Sequence, residues 1–229
     1  MKENRMSEKR TGGLPGQIET GLVSRRSFVL GAGAAALAAM VPGGDLWAAA
    51  PSESAQKIAD HFSSVKTMMG EFVQFGPRGE QTGGKFFISR PGRLRFNYEA
   101  PSPLRVISDG RNLVIGNYKL KTWDLYPLSK TPLSLLLSDK IDLGREMVRG
   151  VQEEQDLTTI ILGDKTIFGE STITLMFDPK NFELRQWTIT DPQAKDTTVM
   201  IFNVQTGVNL DDKVFEIPYS DVHSTGTNR

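Results

Sequence analysis

Apolar residues recur with a helical period near Ser52 and with a period of two from Glu71 onward. Apolar side chains spaced three or four apart between Ser52 and Lys66 predict a helix, with Ser52 or Ser54 as its cap. The members of this stripe are Ala55, Ile58, Ala59, Phe62 and Val65. The later period of two is that of β-strands, whose side chains alternate between two faces.

The segment from Gly83 to Pro101 predicts a β-hairpin around a Pro-Gly turn. Proline fixes φ at the first central position of such a turn, and glycine tolerates a positive φ at the second. Arg90 is in register with Phe86 and Ile88, so its guanidinium shares a face with large apolar groups. A charge there costs free energy unless it is paired or hydrogen-bonded. Either this face ends at solvent beside Arg90, or another element supplies partners.

Short strands separated by turn signals make up most of the remaining chain. Asp109-Gly110 and Gly116-Asn117 are hairpin signals, and no βαβ rhythm is present, so we predict an antiparallel sandwich or barrel. Several later strands carry apolar residues on both parities, which means that both faces are covered or that one lines a cavity. Besides the hairpin, the predicted strands are Glu71 to Phe75, Leu104 to Ser108, Asn112 to Ile115, Lys119 to Tyr126, Leu157 to Leu162, Ser171 to Phe177, Glu183 to Thr190 and Thr197 to Val204.

The leucine-rich segment from Thr131 to Asp139 interrupts the strands. Thr131 suits a helix cap and Pro132 the first helical position, so we predict a short apolar helix. It is either a further core helix or a mobile cover whose leucines close over a cavity. The following Ile141 to Gly150 has low apolar periodicity and suggests at most another helical piece.

The N-terminal 50 residues have the features of an export signal. Arg25 and Arg26 precede a short apolar run, and small residues follow at positions 48–50. This order predicts a twin-arginine-type signal peptide over residues 1–50, cleaved near 48–50, and the alternative is an uncleaved membrane anchor. Residues 51–229 then form a single domain.

Charge and cysteine content narrow the classes of function. Six of the 27 Lys and Arg and four of the 27 Asp and Glu lie in residues 1–50, which leaves 21 against 23 and a net charge of −2. A nucleic-acid partner usually needs a basic stripe, so we expect none. The chain has no cysteine, so it lacks the residue that carries the acyl chains of a bacterial lipoprotein.

Catalytic motifs are lacking in the sequence. Gly169-Glu170-Ser171 is not a nucleophile elbow, and two distant histidines, His61 and His223, do not make a metal site. We interpret His61 as a surface or rim residue and place His223 in a polar tail that we expect to be disordered. We therefore expect a protein that is not an enzyme and that has no metal or cofactor, with a hydrolase as the minor alternative. The class of function that we favour is a protein that binds an apolar ligand.

Three segments follow one another along the chain: Phe86 to Tyr98 with its Arg-Pro corner, Val106 to Gly110 with its Ser-Asp-Gly turn, and Pro132 to Leu137. Together they resemble the LolA family of periplasmic outer-membrane lipoprotein carrier proteins. Their order and spacing carry the resemblance, which extends from Ala55 to Pro218.

The resemblance implies a mainly β fold, an unclosed antiparallel β half-barrel covered by short lid helices. It also implies a periplasmic carrier that takes acylated lipoproteins from an ATP-driven release complex of the inner membrane to an outer-membrane acceptor, and we expect a monomer. The acceptor family LolB shares this fold but carries a lipid-anchoring cysteine, so the lack of cysteine favours the soluble carrier. An exported half-barrel sensor or lipid-binding regulatory protein is the alternative.

The resemblance further assigns roles to individual residues. Arg90 corresponds to an arginine that bonds to backbone groups of the lid helices and holds the closed form. The matching lid residues are Phe62, Leu135, Leu136 and Leu137. We expect the acyl chains to lie in a cavity lined by Phe72, Phe86, Ile88, Leu94, Phe96 and Ile160.

Overall fold

A computed structural model describes residues 52–143, 147–166 and 169–225, all within a compact unit formed by residues 48–229. The predicted signal segment, residues 1–50, lies outside the described residues. The first helix is confirmed as α1, Glu53–Ser64, and the Ser52 hydroxyl accepts a 3.0 Å hydrogen bond from the Ala55 amide as its cap. An extended residue, Val65, ends the helix.

Within these residues, eleven strands form one antiparallel sheet. Most of the predicted strands are confirmed, including both strands of the Gly83 to Pro101 hairpin. The strands are β1 (Thr67–Phe75), β2 (Gln81–Ser89), β3 (Arg93–Tyr98), β4 (Leu104–Asp109), β5 (Asn112–Asn117), β6 (Thr122–Pro127), β7 (Val148–Glu153), β8 (Thr158–Thr166), β9 (Gly169–Phe177), β10 (Leu184–Thr190) and β11 (Asp196–Thr206).

The sheet consists of two meanders that meet at β1. Its strand order is β6-β5-β4-β3-β2-β1-β11-β10-β9-β8-β7, so β6 and β7 are its two edges and the sheet is not closed into a barrel. Phe72 of β1 is opposite both Gly84 of β2 and Ile201 of β11. The expected mainly β, unclosed antiparallel fold is therefore confirmed.

One face of the sheet, here called the inner face, carries the main apolar core. Helix α1 packs against it through four side chains that are at most 2% exposed: Ala55, Ile58, Ala59 and Phe62. The short helix α2, Leu133–Leu136, adds its leucines to the same cluster. On the opposite face, Ile107 and Val114 pack under the C-terminal segment, which contains helix α3, Tyr219–Thr225.

Three local predictions are wrong. The predicted Thr131 to Asp139 helix is only one turn long; it begins after Pro132, without a side-chain cap, and a 3-10 turn over Leu128–Lys130 precedes it. The residues after Ile141 do not continue as a helix where they are described, because β7 begins at Val148. The C-terminal tail forms α3, which contains His223.

Candidate functional site

The six residues predicted to line a cavity all lie in the apolar cluster of the inner face. Phe72, Phe86, Ile88, Leu94, Phe96 and Ile160 are each at most 4% exposed. Cross-strand pairing explains part of this grouping, since Phe86 lies opposite Phe96, and Ile88 opposite Leu94. The rings of Phe72 and Phe96 meet edge to face with centroids 4.6 Å apart. These side chains pack closely together, and their contact with acyl chains stays a prediction.

The same apolar layer crosses the second meander. Ile160 lies opposite Leu175, which lies opposite Trp187, which in turn lies opposite Val199. All four residues are at most 5% exposed. The inner face is therefore one continuous apolar surface from β3 to β8.

The predicted lid residues lie over this surface. Leu135, Leu136 and Leu137 are buried in the cluster together with Phe62 of α1. The Phe62 ring also meets Phe177 of β9 edge to face, with centroids 5.3 Å apart. Both lid helices thus contribute large apolar side chains to the layer that covers the inner face.

Arg90 follows β2 on this apolar face and bonds to α1. It is 5% exposed, and its Nη2 donates to the backbone oxygens of Phe62 and Val65. The guanidinium carbon lies 4.0 Å from the centroid of the Phe62 ring, an arrangement suited to a cation–π interaction. The last carbonyl groups of a helix lack partners within the helix, so Arg90 caps the C terminus of α1.

The hydrogen bonds of Arg90 reach only one of the two predicted lid segments. Its bonds go to α1, whereas Leu137, which follows α2, accepts a 2.9 Å hydrogen bond from the Gly92 amide. Gly92 has φ +81°, and a Cβ there would lie 2.8 Å from Gly110 Cα, so this turn position needs glycine. The Arg90-Gly92 corner therefore holds both lid helices, one by a side chain and the other by the backbone.

Two further contacts join α1 to the segment after α2. The buried Ser63 hydroxyl donates to the Ala59 oxygen at 2.6 Å and accepts a 3.0 Å hydrogen bond from the Ile141 amide. Lys66 Nζ lies 2.7 Å from Asp139 Oδ1 in an exposed ion pair, which contributes little because water and salt screen it. The buried contact is therefore the stronger link between these two segments.

Burial dominates the electrostatics of Arg90. Removal from water lowers the pKa of Arg90 to about 10, and the nearby charge of Asp139 opposes this shift. Arg90 still carries its charge at neutral pH, so its bonds to the helix carbonyl groups are charge-assisted.

A cavity of about 190 Å³ opens beside the C terminus of α1. Its apolar lining comes from α1, β1, the β9–β10 turn and β11: Phe62, Val65, Met68, Phe182, Leu184, Ile201 and Val204. His61 also lines it; this residue is exposed, as expected of a rim residue, and its ring centroid lies 5.8 Å from that of Phe182. No cavity was predicted at this place; Phe62 was predicted as a lid residue and His61 as a surface or rim residue.

A polar cluster on the other face fixes the turn after β4. Asp109 Oδ1 accepts 2.8 Å hydrogen bonds from the Arg111 and Asn112 amides, and Oδ2 accepts one of 2.6 Å from the Tyr219 hydroxyl. Burial raises the pKa of Asp109, but these hydrogen bonds outweigh it and leave the pKa below its ordinary value. This supports the structural role expected for Asp109.

The described part of the chain holds neither a cluster of metal-binding side chains nor a membrane-spanning helix. No group of three or more His, Cys, Asp or Glu side chains is placed there to share a metal ion. None of the helices in the described ranges has the length and apolar character needed to cross a bilayer.

An unclosed antiparallel sheet whose apolar face is covered by helices defines a lidded half-barrel protein. A family model described as outer membrane lipoprotein carrier protein LolA matches residues 63–218, which is more than half of the chain. The chain belongs to the LolA family.

Individual relatives and solved structures share only a modest fraction of residues with this chain. An outer-membrane lipoprotein carrier protein of Pseudomonas aeruginosa is 25% identical over 198 residues, which cover 80% of this chain and 92% of the relative. Among solved structures, a LolA superfamily protein from Nitrosomonas europaea matches with a TM-score of 0.40 and 10% identity, covering 72% of this chain and 98% of that one. The Pseudomonas aeruginosa MucA/MucB complex matches with a TM-score of 0.37 and 12% identity, over 72% of this chain and 60% of that one.

Proposed function

We propose that this protein is a periplasmic carrier of lipoproteins that holds their acyl chains between the inner face of the sheet and the lid helices. In this proposal it takes cargo from an ATP-driven release complex of the inner membrane and delivers it to an outer-membrane acceptor. The observation that carries the proposal is a continuous apolar face beneath two helices. Both helices are hydrogen-bonded to the Arg90-Gly92 corner. Membership of the LolA family supports it.

Size indicates that the lid must move to admit cargo. The cavity beside α1 has a volume of about 190 Å³, whereas sites for small ligands usually hold about 300–1,000 Å³. The described form is therefore closed, and an acyl chain fits between helix and sheet only after α1 or α2 is displaced. The rings and leucines that now contact one another would then contact the chain instead.

Energetics favour such an exchange. Each buried methylene contributes about 0.8 kcal/mol, so a chain of about ten methylenes gains about 8 kcal/mol on leaving water. A hydrogen bond to a charged group, such as those of Arg90 to α1, contributes about 1.5–3 kcal/mol. Cargo can therefore break the hydrogen bonds of Arg90 to α1, here called the latch. When these bonds form again, the closing lid helps to expel the cargo.

Photo-crosslinking in the source cell tests the proposal. A photoreactive amino acid replaces Ile88, which lies on the inner face, and in a matched control it replaces Phe87, which lies on the other face of the same strand. We expect lipoproteins to crosslink at position 88 and not at position 87. Equal crosslinking at both positions, or none at position 88 in a folded protein, would refute binding on the inner face.

Depletion of the protein tests the direction of transport. A carrier predicts that lipoproteins destined for the outer membrane accumulate at the inner membrane when the protein is removed, as fractionation of the two membranes would detect. An exported sensor or regulatory protein predicts normal sorting of lipoproteins and crosslinks to one protein partner. Normal sorting after complete depletion would therefore overturn the carrier function.

A further inference from the structure

The Arg90 guanidinium holds more donors than the closed lid uses. Nη2 makes both bonds to α1, whereas buried Nε and Nη1 have no hydrogen-bond partner among the described residues. The side chain as a whole is 95% buried, since its relative exposure is 5%. Buried donors without acceptors cost free energy, and a charged donor costs more than a neutral one. Two of the three guanidinium nitrogens thus remain available for acceptor oxygens.

The position of Arg90 suggests which molecule supplies these oxygens. Arg90 continues the inner-face parity of Phe86 and Ile88, and residues two apart on a strand are about 7 Å apart. It therefore stands where the apolar face ends at the Arg90-Gly92 corner. An amphiphile whose chains lie over Ile88 and Phe86 brings the polar head of those chains to Arg90.

The burial of Arg90 favours a neutral acceptor over an anion. Arg90 and Lys66 carry two positive charges and Asp139 one negative charge, so charge alone does not exclude an anion. However, Arg90 is only 5% exposed and lies against the Phe62 ring. An anionic head group would have to lose its hydration to enter there, whereas an ester carbonyl oxygen accepts hydrogen bonds without bringing a charge that must be desolvated.

We propose that the free N–H groups of Arg90 bind the ester carbonyl oxygens at the head of the acyl chains. Arg90 then has two alternative sets of partners: the α1 carbonyl oxygens in the closed form, and the ester oxygens when cargo is bound and the lid is open. This inference rests on the proposed carrier function. It adds a specificity that an apolar surface alone does not give, because methylenes of esters and ethers are equally apolar.

Binding of two synthetic lipopeptides to the purified protein tests the inference. One carries a diacylglyceryl group, and the other carries dialkyl ether chains of equal length that lack carbonyl oxygens. We expect the wild-type protein to bind the ester about ten- to a hundredfold more tightly. Arg90→Leu should bind both lipopeptides equally. Comparing the ratio within each variant removes any effect of the substitution on lid opening, because that effect is common to both ligands.

Three additions complete the design. Arg93→Leu is the matched control, because Arg93 lies in the same corner but pairs with Asp212 and Ser89, and it should keep the ester preference. Arg90→Lys keeps the charge but not the planar guanidinium group, so it should reduce the preference for the ester. This variant keeps the test decisive if Arg90→Leu fails to fold. A phosphatidylglycerol with the same chains distinguishes lipoprotein from phospholipid as the source of the ester, and its phosphate should weaken binding.

The possible outcomes distinguish failure of ester recognition by Arg90 from failure of the carrier function. If the wild-type protein binds ester and ether equally tightly, ester recognition is refuted and the carrier function stands. An ester preference that Arg90→Leu and Arg90→Lys both retain would assign the recognition to another residue. If neither lipopeptide binds the folded protein, the carrier function itself fails.

Discussion

Replacing Arg90 by leucine should loosen the lid while leaving the sheet intact. The change removes two charge-assisted hydrogen bonds, each contributing about 1.5–3 kcal/mol, and the contact of the guanidinium with the Phe62 ring. It also removes a buried charge, two nitrogens of which have no hydrogen-bond partner in the described ranges, and the burial of such a charge opposes folding. We expect these effects to leave a net weakening of lid closure of about 2 kcal/mol, or roughly a thirtyfold larger opening constant.

Hydrogen exchange measured by mass spectrometry reports this opening. Amides of α1 should exchange about thirtyfold faster in Arg90→Leu, whereas those of β10 around buried Trp187 should keep their wild-type rates. Arg93→Leu changes an arginine of the same corner without touching α1, so it should leave the exchange of α1 unchanged. Unchanged α1 exchange in Arg90→Leu would refute the assignment of Arg90 as a latch.

The loosened lid should also affect cargo transfer. Arg90→Leu removes both the closure that competes with bound chains and the proposed ester contact. We expect the loss of closure to be the larger effect, so that the variant accepts lipoprotein but releases it more slowly to the acceptor. Pulse-chase fractionation measures how much lipoprotein remains on the carrier. Delivery at the wild-type rate would contradict this mechanism even if the exchange of α1 were faster.

Three other substitutions probe the contacts that position the site. Gly92→Ala should destabilise the protein to urea by about 1–3 kcal/mol more than Gly79→Ala, because both positions have φ +81° but only Gly92 lies against a neighbouring backbone. Tyr219→Phe should raise the pKa of Asp109 measured by NMR; the stability it removes at neutral pH should vanish as pH falls through that pKa, and an equal loss at all pH values would contradict the linkage. Ser63→Ala leaves a buried amide without its acceptor and should cost about 1–3 kcal/mol in urea unfolding, so a neutral effect would show that this link is dispensable.

Local patterns in the sequence predict the elements of the fold well. The stripe from Ala55 to Phe62 matches α1 because three- and four-residue spacing places these side chains on one helix face, whereas Val65, the last member of the predicted stripe, lies just beyond the helix. The hairpin at Arg90 is predicted because proline fixes φ at one turn position and glycine permits a positive φ at the next. Both signals depend on residues that are neighbours in sequence.

Features that depend on residues far apart in the sequence, such as the pairing of strands, could not be predicted in the same way. Nothing in the sequence of β1 indicates that it pairs with β11, a strand more than a hundred residues later, as well as with β2. The one-turn length of α2 was missed because a run of leucines suits either a longer helix or a loop packed in the core. Strand β7 was missed because its exposed edge position removes the alternation that marks a strand.

In the candidate site, too, the locally encoded features were predicted and the contacts between distant segments were not. Arg90 stands out in the sequence because a charge in register with Phe86 and Ile88 needs a partner. Its true partners, the carbonyl oxygens at the end of α1, are backbone atoms and leave no trace in residue type. The cavity beside α1 was missed because it combines residues from four separate segments, although the apolar residues on both parities of β11 were a partial signal.

The central position of β1 determines when the sheet can be completed during synthesis. Its partner β2 follows within a few residues, whereas β11 is the last of the eleven described strands. Until residues 196–206 are present, β1 is an edge strand with unpaired N–H and C=O groups beside the apolar side chains of Met68 and Phe72. A chain interrupted before Asp196 exposes that edge to other chains, so the last strand made is the one that protects the first.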